Sequence, residues 1–131
     1  MQREVSYEEA MKRKYPEQIV IGIVADGKGV YNPVTIGWVM PASKEPAMLV
    51  IALAHERYSL ELMRAAGEFV VALPSEAQGE EALLFGTKSG RELDKFAAAG
   101  TALVQARKID GMLMSEAVAN FECRMAGVVK K

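Results

Sequence analysis

Apolar positions along this chain come in short, β-branched runs broken by glycine, proline and charge, a pattern of strands joined by turns. Residues 19–24, IVIGIV, predict a first strand, and Asp26-Gly27-Lys28-Gly29 predicts the turn that leads out of it into a loop or hairpin. Residues 34–40, VTIGWVM, predict a second strand, with a turn spanning Pro41 to Pro46. AMLVIAL then follows, apolar at every position, which predicts a third strand covered on both faces at the centre of the sheet. EFVVALP, TALVQARKI and part of SEAVANFECRMAGVVKK predict the remaining strands. In the last of these Val118, Phe121, Cys123 and Met125 do not alternate cleanly, so a bulge or bend is expected near Asn120.

The helices predicted between them are short. Ser6 and Glu9 stand in capping-box relation at the head of a helix that Pro16 must stop. Ser59 is placed to cap LELMRAAG, whose Leu60, Leu62 and Met63 give an apolar stripe and whose Gly67 terminates it. Ser75 and Gln78 form another capping signal before a short apolar helix through residues 82–85, and RELDKFAAAG predicts one more, ending at Gly100. Five or six strands and three or four short helices, linked by tight turns more than by long crossovers, favour a mainly β fold. An antiparallel barrel with inserted helices suits them better than a doubly wound parallel sheet. Gly127-Val128-Val129 predicts a strand with no hairpin return before Lys131, so the chain is expected to stop short of a complete barrel.

Composition narrows the class. The 131 residues suffice for one domain, spanning residues 1–131. Sixteen basic against seventeen acidic residues leave a net charge of -1, which gives no bulk attraction to nucleic acid or an anionic membrane but permits a local basic pocket. No apolar run approaches the roughly 20 residues of a membrane helix. The opening MQREVSYEEAMKRKYP lacks the apolar core of a signal peptide, so a cytoplasmic protein is expected. The single cysteine, Cys123, has no partner for an internal disulfide, and with His55 the only histidine no metal-ligand set is expected.

Most catalytic signatures are absent: G-x-S-x-G, a Walker-type loop, H-E-x-x-H and G-x-G-x-x-G do not occur. His55 reads as a strand-end residue and Cys123 as a small buried hydrophobe, so no protein residue is assigned a catalytic role. The eight methionines read as core filling, with Met40 and Met63 also able to line a planar ligand. Three stretches carry more. N-P-V-T-I-G-W interleaves Asn32, Thr35 and Gly37 with strand residues, offering polar groups and open backbone to a ligand edge. H-E-R-Y-S puts a hydroxyl and Arg57 at a helix start, where backbone amides and a cation favour phosphate. K-S-G-R-E-L-D-K-F sets Lys88, Arg91 and Lys95 around a glycine-containing loop.

In this order and spacing, NPVTIGWVMPASKEPAMLVIALAHERYSLELMRAAGEFVVALP, SGRELDKFAAAG and the ANFECR strand resemble the flavin reductase-like family of FMN-binding split barrels, and within it the flavoredoxin and ferric reductase subgroup. The resemblance covers roughly residues 16–127. It implies a six-stranded Greek-key split barrel, here lacking its C-terminal strand, a homodimer, and FMN held noncovalently near the subunit interface. It places Asn32, Thr35, Ile36, Gly37 and Trp38 beside the isoalloxazine and lets Ala52, Leu53 and Ala54 offer backbone groups to the ring. It also puts Arg57, Tyr58 and Ser59 on the phosphate, with Lys95 reaching the flavin.

The function implied is hydride transfer from NADH or NADPH to FMN. The alternative is an FMN-holding electron carrier that reacts little with nicotinamide and exchanges electrons with a redox partner protein. A small structural barrel without cofactor is the third reading.

Overall fold

A computed structural model describes residues 1–129. Its centre is a four-stranded antiparallel sheet in the order β2-β1-β5-β8, formed by β1 (Val20–Ala25), β2 (Tyr31–Ile36), β5 (Glu68–Leu73) and β8 (Ala119–Arg124). Two hairpins complete the strand set: β3 (Val39–Lys44) with β4 (Ala47–Ile51), and β6 (Leu103–Gln105) with β7 (Met112–Met114). The helices are α1 (Tyr7–Lys12), α2 (Tyr58–Ala66), α3 (Gly79–Thr87) and α4 (Lys95–Ala99).

β1 is the central strand, pairing Val20↔Ile36 through Ala25↔Tyr31 on one side and Ile21↔Ala72 through Ile23↔Val70 on the other. Its alternation feeds two cores. Ile21 and Ile23 join Val70, Ala72, Phe85, Phe96 and Met114 on the face covered by α3, α4 and the β6–β7 hairpin. Val20 and Val24 join Val34, Ile36, Val71, Leu62 and Met63 on the face covered by α2 and the β3–β4 ribbon. Gly22 permits that second layer to sit close, since a Cβ there would lie 3.0 Å from both Ile36 Cδ1 and Met63 Cε.

Several expectations are met in kind and moved in place. Ser6 caps α1 by accepting from the Glu9 amide, but the Glu9 carboxylate bonds Arg3 instead of closing the box. Gly67 ends α2 in the left-handed region at φ 73°, as its position predicts. The expected strand over residues 34–40 is two: β2 stops at Ile36, Gly37 and Trp38 turn the chain, and β3 begins at Val39. β3 then runs through Pro41 with a register shift before Ser43, so the proline-bounded turn shrinks to residues 45–46.

AMLVIAL is not central. Among the described residues β4 pairs with β3 alone, and its apolar content divides between Leu49 and Ile51 on the core side and Met48 and Val50 outside. A continuous apolar run fits a doubly covered strand or a ribbon with one face left open, and run length does not separate the two. The bulge expected near Asn120 is absent: β8 keeps unbroken register from Ala119↔Leu73 to Arg124↔Glu68. The irregular spacing there comes from Asn120, whose side chain accepts from the Met114 amide and donates to the Met114 carbonyl, tying β8 to β7. No strand forms over residues 127–129, and Lys130 and Lys131 lie outside the described residues.

Candidate functional site

β2 is an edge strand, and both of its faces and its free edge are engaged. Pro33 is accommodated there because an edge position needs no donor to a further strand. Its carbonyl accepts a hydrogen bond from Lys95 Nζ at 2.7 Å, and the same ammonium donates to the Phe85 carbonyl at 2.9 Å. Lys95 thus clamps the edge of β2 to the C-terminal half of α3, and it does so 3% exposed. Burial, and then the like charge of Arg57, lowers the Lys95 pKa from 10.5 to about 8. Among the described residues no carboxylate forms an ion pair with Lys95 or with Arg57.

On the α2 side of β2, Asn32 Nδ2 donates to Ser59 Oγ at 2.8 Å, with both residues buried. This corrects the expected role of Ser59. The N-cap of α2 is Arg57, which makes no side-chain capping bond, and Ser59 sits inside the first turn with its hydroxyl turned to β2. The first-turn amides of α2 keep their partial positive charge.

Above these residues lies a cleft of about 190 Å³, lined by Asn32, Arg57, Ser59, Lys88, Ser89 and Lys95 among others. A second hollow of about 240 Å³ adjoins it and shares Asn32, Tyr58, Gly90, Arg91 and Lys95. Gly90 is the closest approach in the wall: a Cβ there would overlap the Asn32 amide and lie 3.1 Å from Tyr58 Cδ2. Arg91 stacks on Tyr58, 4.8 Å from the ring centroid, and bonds Glu61 at 2.6 Å.

Of the residues expected at the site, Asn32, Arg57, Tyr58, Ser59 and Lys95 come together in this cleft. At the far end of β2 the chain turns through Gly37 and Trp38, and the Ala52 amide donates to the Trp38 carbonyl at 2.9 Å. Trp38, Ala52 and Ala54 are exposed, the Ala54 carbonyl accepts from the Arg57 amide at 3.0 Å, and Leu53 packs on the second core cluster. Ile36 is buried in that cluster, leaving its backbone as the part that can face a ligand. Thr35 lies on the opposite face of β2 from Asn32, and its hydroxyl donates to the Ala82 carbonyl.

The sequence sets Lys88, Arg91 and Lys95 around a glycine-containing loop but gives Gly90 itself no role, since glycine in a polar loop looks like an ordinary turn residue. His55 is exposed in the turn before α2. Cys123 is half-buried, and burial raises its thiol pKa, which disfavours a nucleophilic role. Among the described residues no group of three His, Cys, Asp or Glu is arranged to hold a metal, and no helix is long and apolar enough to cross a membrane.

Comparison with known proteins fits this geometry. The chain is 33% identical over 108 residues to an uncharacterized protein of Archaeoglobus fulgidus, an overlap covering 82% of this chain and 61% of that relative. It therefore spans about three fifths of the relative's length. Among solved structures, the fold is similar to flavoredoxin of Desulfovibrio vulgaris, with TM-score 0.83, 22% identity, and coverage of 88% of this chain and 63% of that one. It is similar too to an NADH:FAD oxidoreductase of Streptomyces globisporus, with TM-score 0.83, 16% identity, and coverage of 100% and 79%. The sequence profile of the flavin reductase like domain matches residues 11–130. The chain accordingly belongs to the flavin reductase-like domain family, a mainly β fold with short helices of the FMN-binding split-barrel kind.

Proposed function

We propose that this protein holds FMN with its phosphate in the Asn32–Ser59–Lys95 cleft and its ring toward Trp38 and Ala52–Ala54, and that it serves as an NAD(P)H-dependent flavin reductase. The observation that carries the reading is Lys95. A buried ammonium that donates to two carbonyls, beside a second cation and with no carboxylate ion-paired to either among the described residues, is arranged for an anion from outside the chain. Ser59, the first-turn amides of α2, Arg57 and Lys88 converge on the same cleft. Four strand steps from Asn32 to Ile36 span about 13 Å, and the turn through Gly37 and Trp38 extends that track beyond the end of β2.

When bound, the flavin supplies the redox chemistry, taking a hydride from a nicotinamide. The chain's residues bind and orient. Lys95 and Arg57 offset phosphate charge, Asn32 and Ser59 fix the phosphate end, and the backbone at Gly37 and Ala52 leaves the ring end open to a second molecule. The ribbon beside that end presents Trp38 at 55% exposure and Met40 at 57%, in line with Val50 and Met48. A homodimer burying this stripe would cover it and shelter the ring.

The same openness supports a second reading, an electron carrier whose partner protein reaches the ring directly. Two measurements on the purified protein decide. Flavin absorbance with rapid NADH or NADPH oxidation on added FMN supports the reductase. Retained flavin with slow nicotinamide oxidation but fast exchange with a protein partner supports the carrier. Absence of any flavin binding rejects both.

A further inference from the structure

The two hollows that share Asn32, Tyr58, Gly90, Arg91 and Lys95 differ in charge. The residues belonging to the phosphate cleft alone include the cations Arg57 and Lys88 against one carboxylate, Glu56. Those belonging to its neighbour alone include three carboxylates, Asp26, Glu92 and Asp94, and no cation. Of the two shared cations Arg91 is ion-paired with Glu61 at 2.6 Å, so the neighbour sets three carboxylates against the single ammonium of Lys95, the group already directed to the first phosphate. Lys28, two residues beyond Asp26, does not line the hollow.

Position gives this contrast its meaning. From Trp38, just past the end of β2, the order runs through Asn32 at the proposed phosphate position to Tyr31 at the start of the strand, with Val30 and Asp26 in the turn that joins it to β1. The acidic hollow is therefore where a ligand continuing past its first phosphate would have to run. FMN ends at that phosphate. FAD continues into a second phosphate and an adenosine, and its second phosphate would enter a wall of three carboxylates. At such a site like charges disfavour the longer ligand more than the shorter one, whose phosphate stays in the neighbouring cleft.

We propose that Asp26, Glu92 and Asp94 form an end wall that restricts this site to flavins terminating in one phosphate, selecting FMN over FAD. The proposal rests on the flavin reading above. The carboxylates are fixed in place for independent reasons. Asp26 Oδ1 accepts from the Lys28 and Val30 amides at 2.6 and 3.1 Å, and Asp94 Oδ1 caps α4 by accepting from Ala97 N at 3.2 Å. Glu92, whose side chain makes no hydrogen bond among the described residues, is free to be altered.

The test is equilibrium binding of riboflavin, FMN and FAD, followed by flavin fluorescence, to the wild type and to Asp26→Asn/Glu92→Gln. Asn keeps an acceptor oxygen for the turn amides, and circular dichroism checks the fold. The wild type should bind FMN about tenfold or more tighter than FAD. The double variant should narrow that ratio by about threefold or more through FAD alone, and Glu92→Lys should do so as a single surface change, both effects shrinking in high salt. Equal affinity of the wild type for FMN and FAD overturns the proposal, as does a ratio that neither variant changes. Failure of all three flavins to bind overturns the flavin reading itself, a separate outcome from loss of selectivity.

Discussion

Asn32 Nδ2 donates to Ser59 Oγ across 2.8 Å, joining the edge strand of the sheet to the first turn of α2 in a buried contact between residues 27 positions apart. The contact does two things, closing the α2 side of β2 and setting a hydroxyl at the cleft proposed for the phosphate. Ser59→Ala leaves the Asn32 amide buried without its acceptor. Urea unfolding of the flavin-free protein should show a loss of about 1–3 kcal/mol. FMN affinity should fall further than riboflavin affinity, because only FMN brings a phosphate. A variant as stable as wild type with unchanged FMN affinity would separate Ser59 from both roles.

Lys95 predicts two pH dependences of opposite sense. Its folded pKa of about 8 lies below the ordinary 10.5, so between those values the unfolded chain binds more protons than the folded one. Stability of the flavin-free protein should therefore rise as pH increases from about 8 to about 10.5, and Lys95→Met should remove that part of the rise. FMN affinity should instead fall above about pH 8, since the phosphate favours the protonated amine. Riboflavin, lacking the phosphate, should bind with little change over the same range.

Gly90→Ala tests the close approach in the cleft wall. The added methyl overlaps the Asn32 amide, so either Asn32 leaves Ser59 or the loop moves outward. Overpacking of this kind costs about 1–3 kcal/mol. A thermal-shift assay should register the loss, and FMN affinity should drop by about tenfold or more. The same substitution at Gly79, where a Cβ meets nothing within 4 Å and φ is -60°, is the matched control and should leave both measurements near wild type.

The exposed stripe on the β3–β4 ribbon tests the proposed homodimer. Met40→Lys with Val50→Glu places opposite charges at directly paired positions, compatible with the ribbon but not with an apolar contact between copies. Sedimentation should show a dimer for the wild type and a monomer for the variant. A wild type that sediments as a monomer over the micromolar range would remove the dimer from the proposed function.

The sequence disclosed the strands of the central sheet well, because IVIGIV and EFVVALP are β-branched runs whose alternation feeds two cores. It misplaced AMLVIAL because apolar content alone does not report whether a second face is covered. Of the candidate site, Arg57 and Ser59 were legible as residues whose chemistry suits a phosphate and Lys95 as one that reaches a flavin, while Asn32, expected beside the ring, is brought into their cleft by the fold. Gly90 stayed hidden, because its importance lies in Asn32, far away in sequence, and a local reading sees only a turn. Asp26, Glu92 and Asp94 were invisible for the same reason. Each satisfies a local turn, cap or surface role, and their shared wall exists only after folding.

The clamp of Lys95 on the Pro33 and Phe85 carbonyls has a consequence for the life of the protein in the cell. A chain that buries an ammonium with no ion-paired carboxylate among the described residues is weakest before its ligand arrives, and ligand binding adds stability that grows with the logarithm of the free ligand above its Kd. Its survival against proteases should thus track the supply of flavin, so that newly made chains persist where the cofactor is plentiful and are cleared where it is scarce.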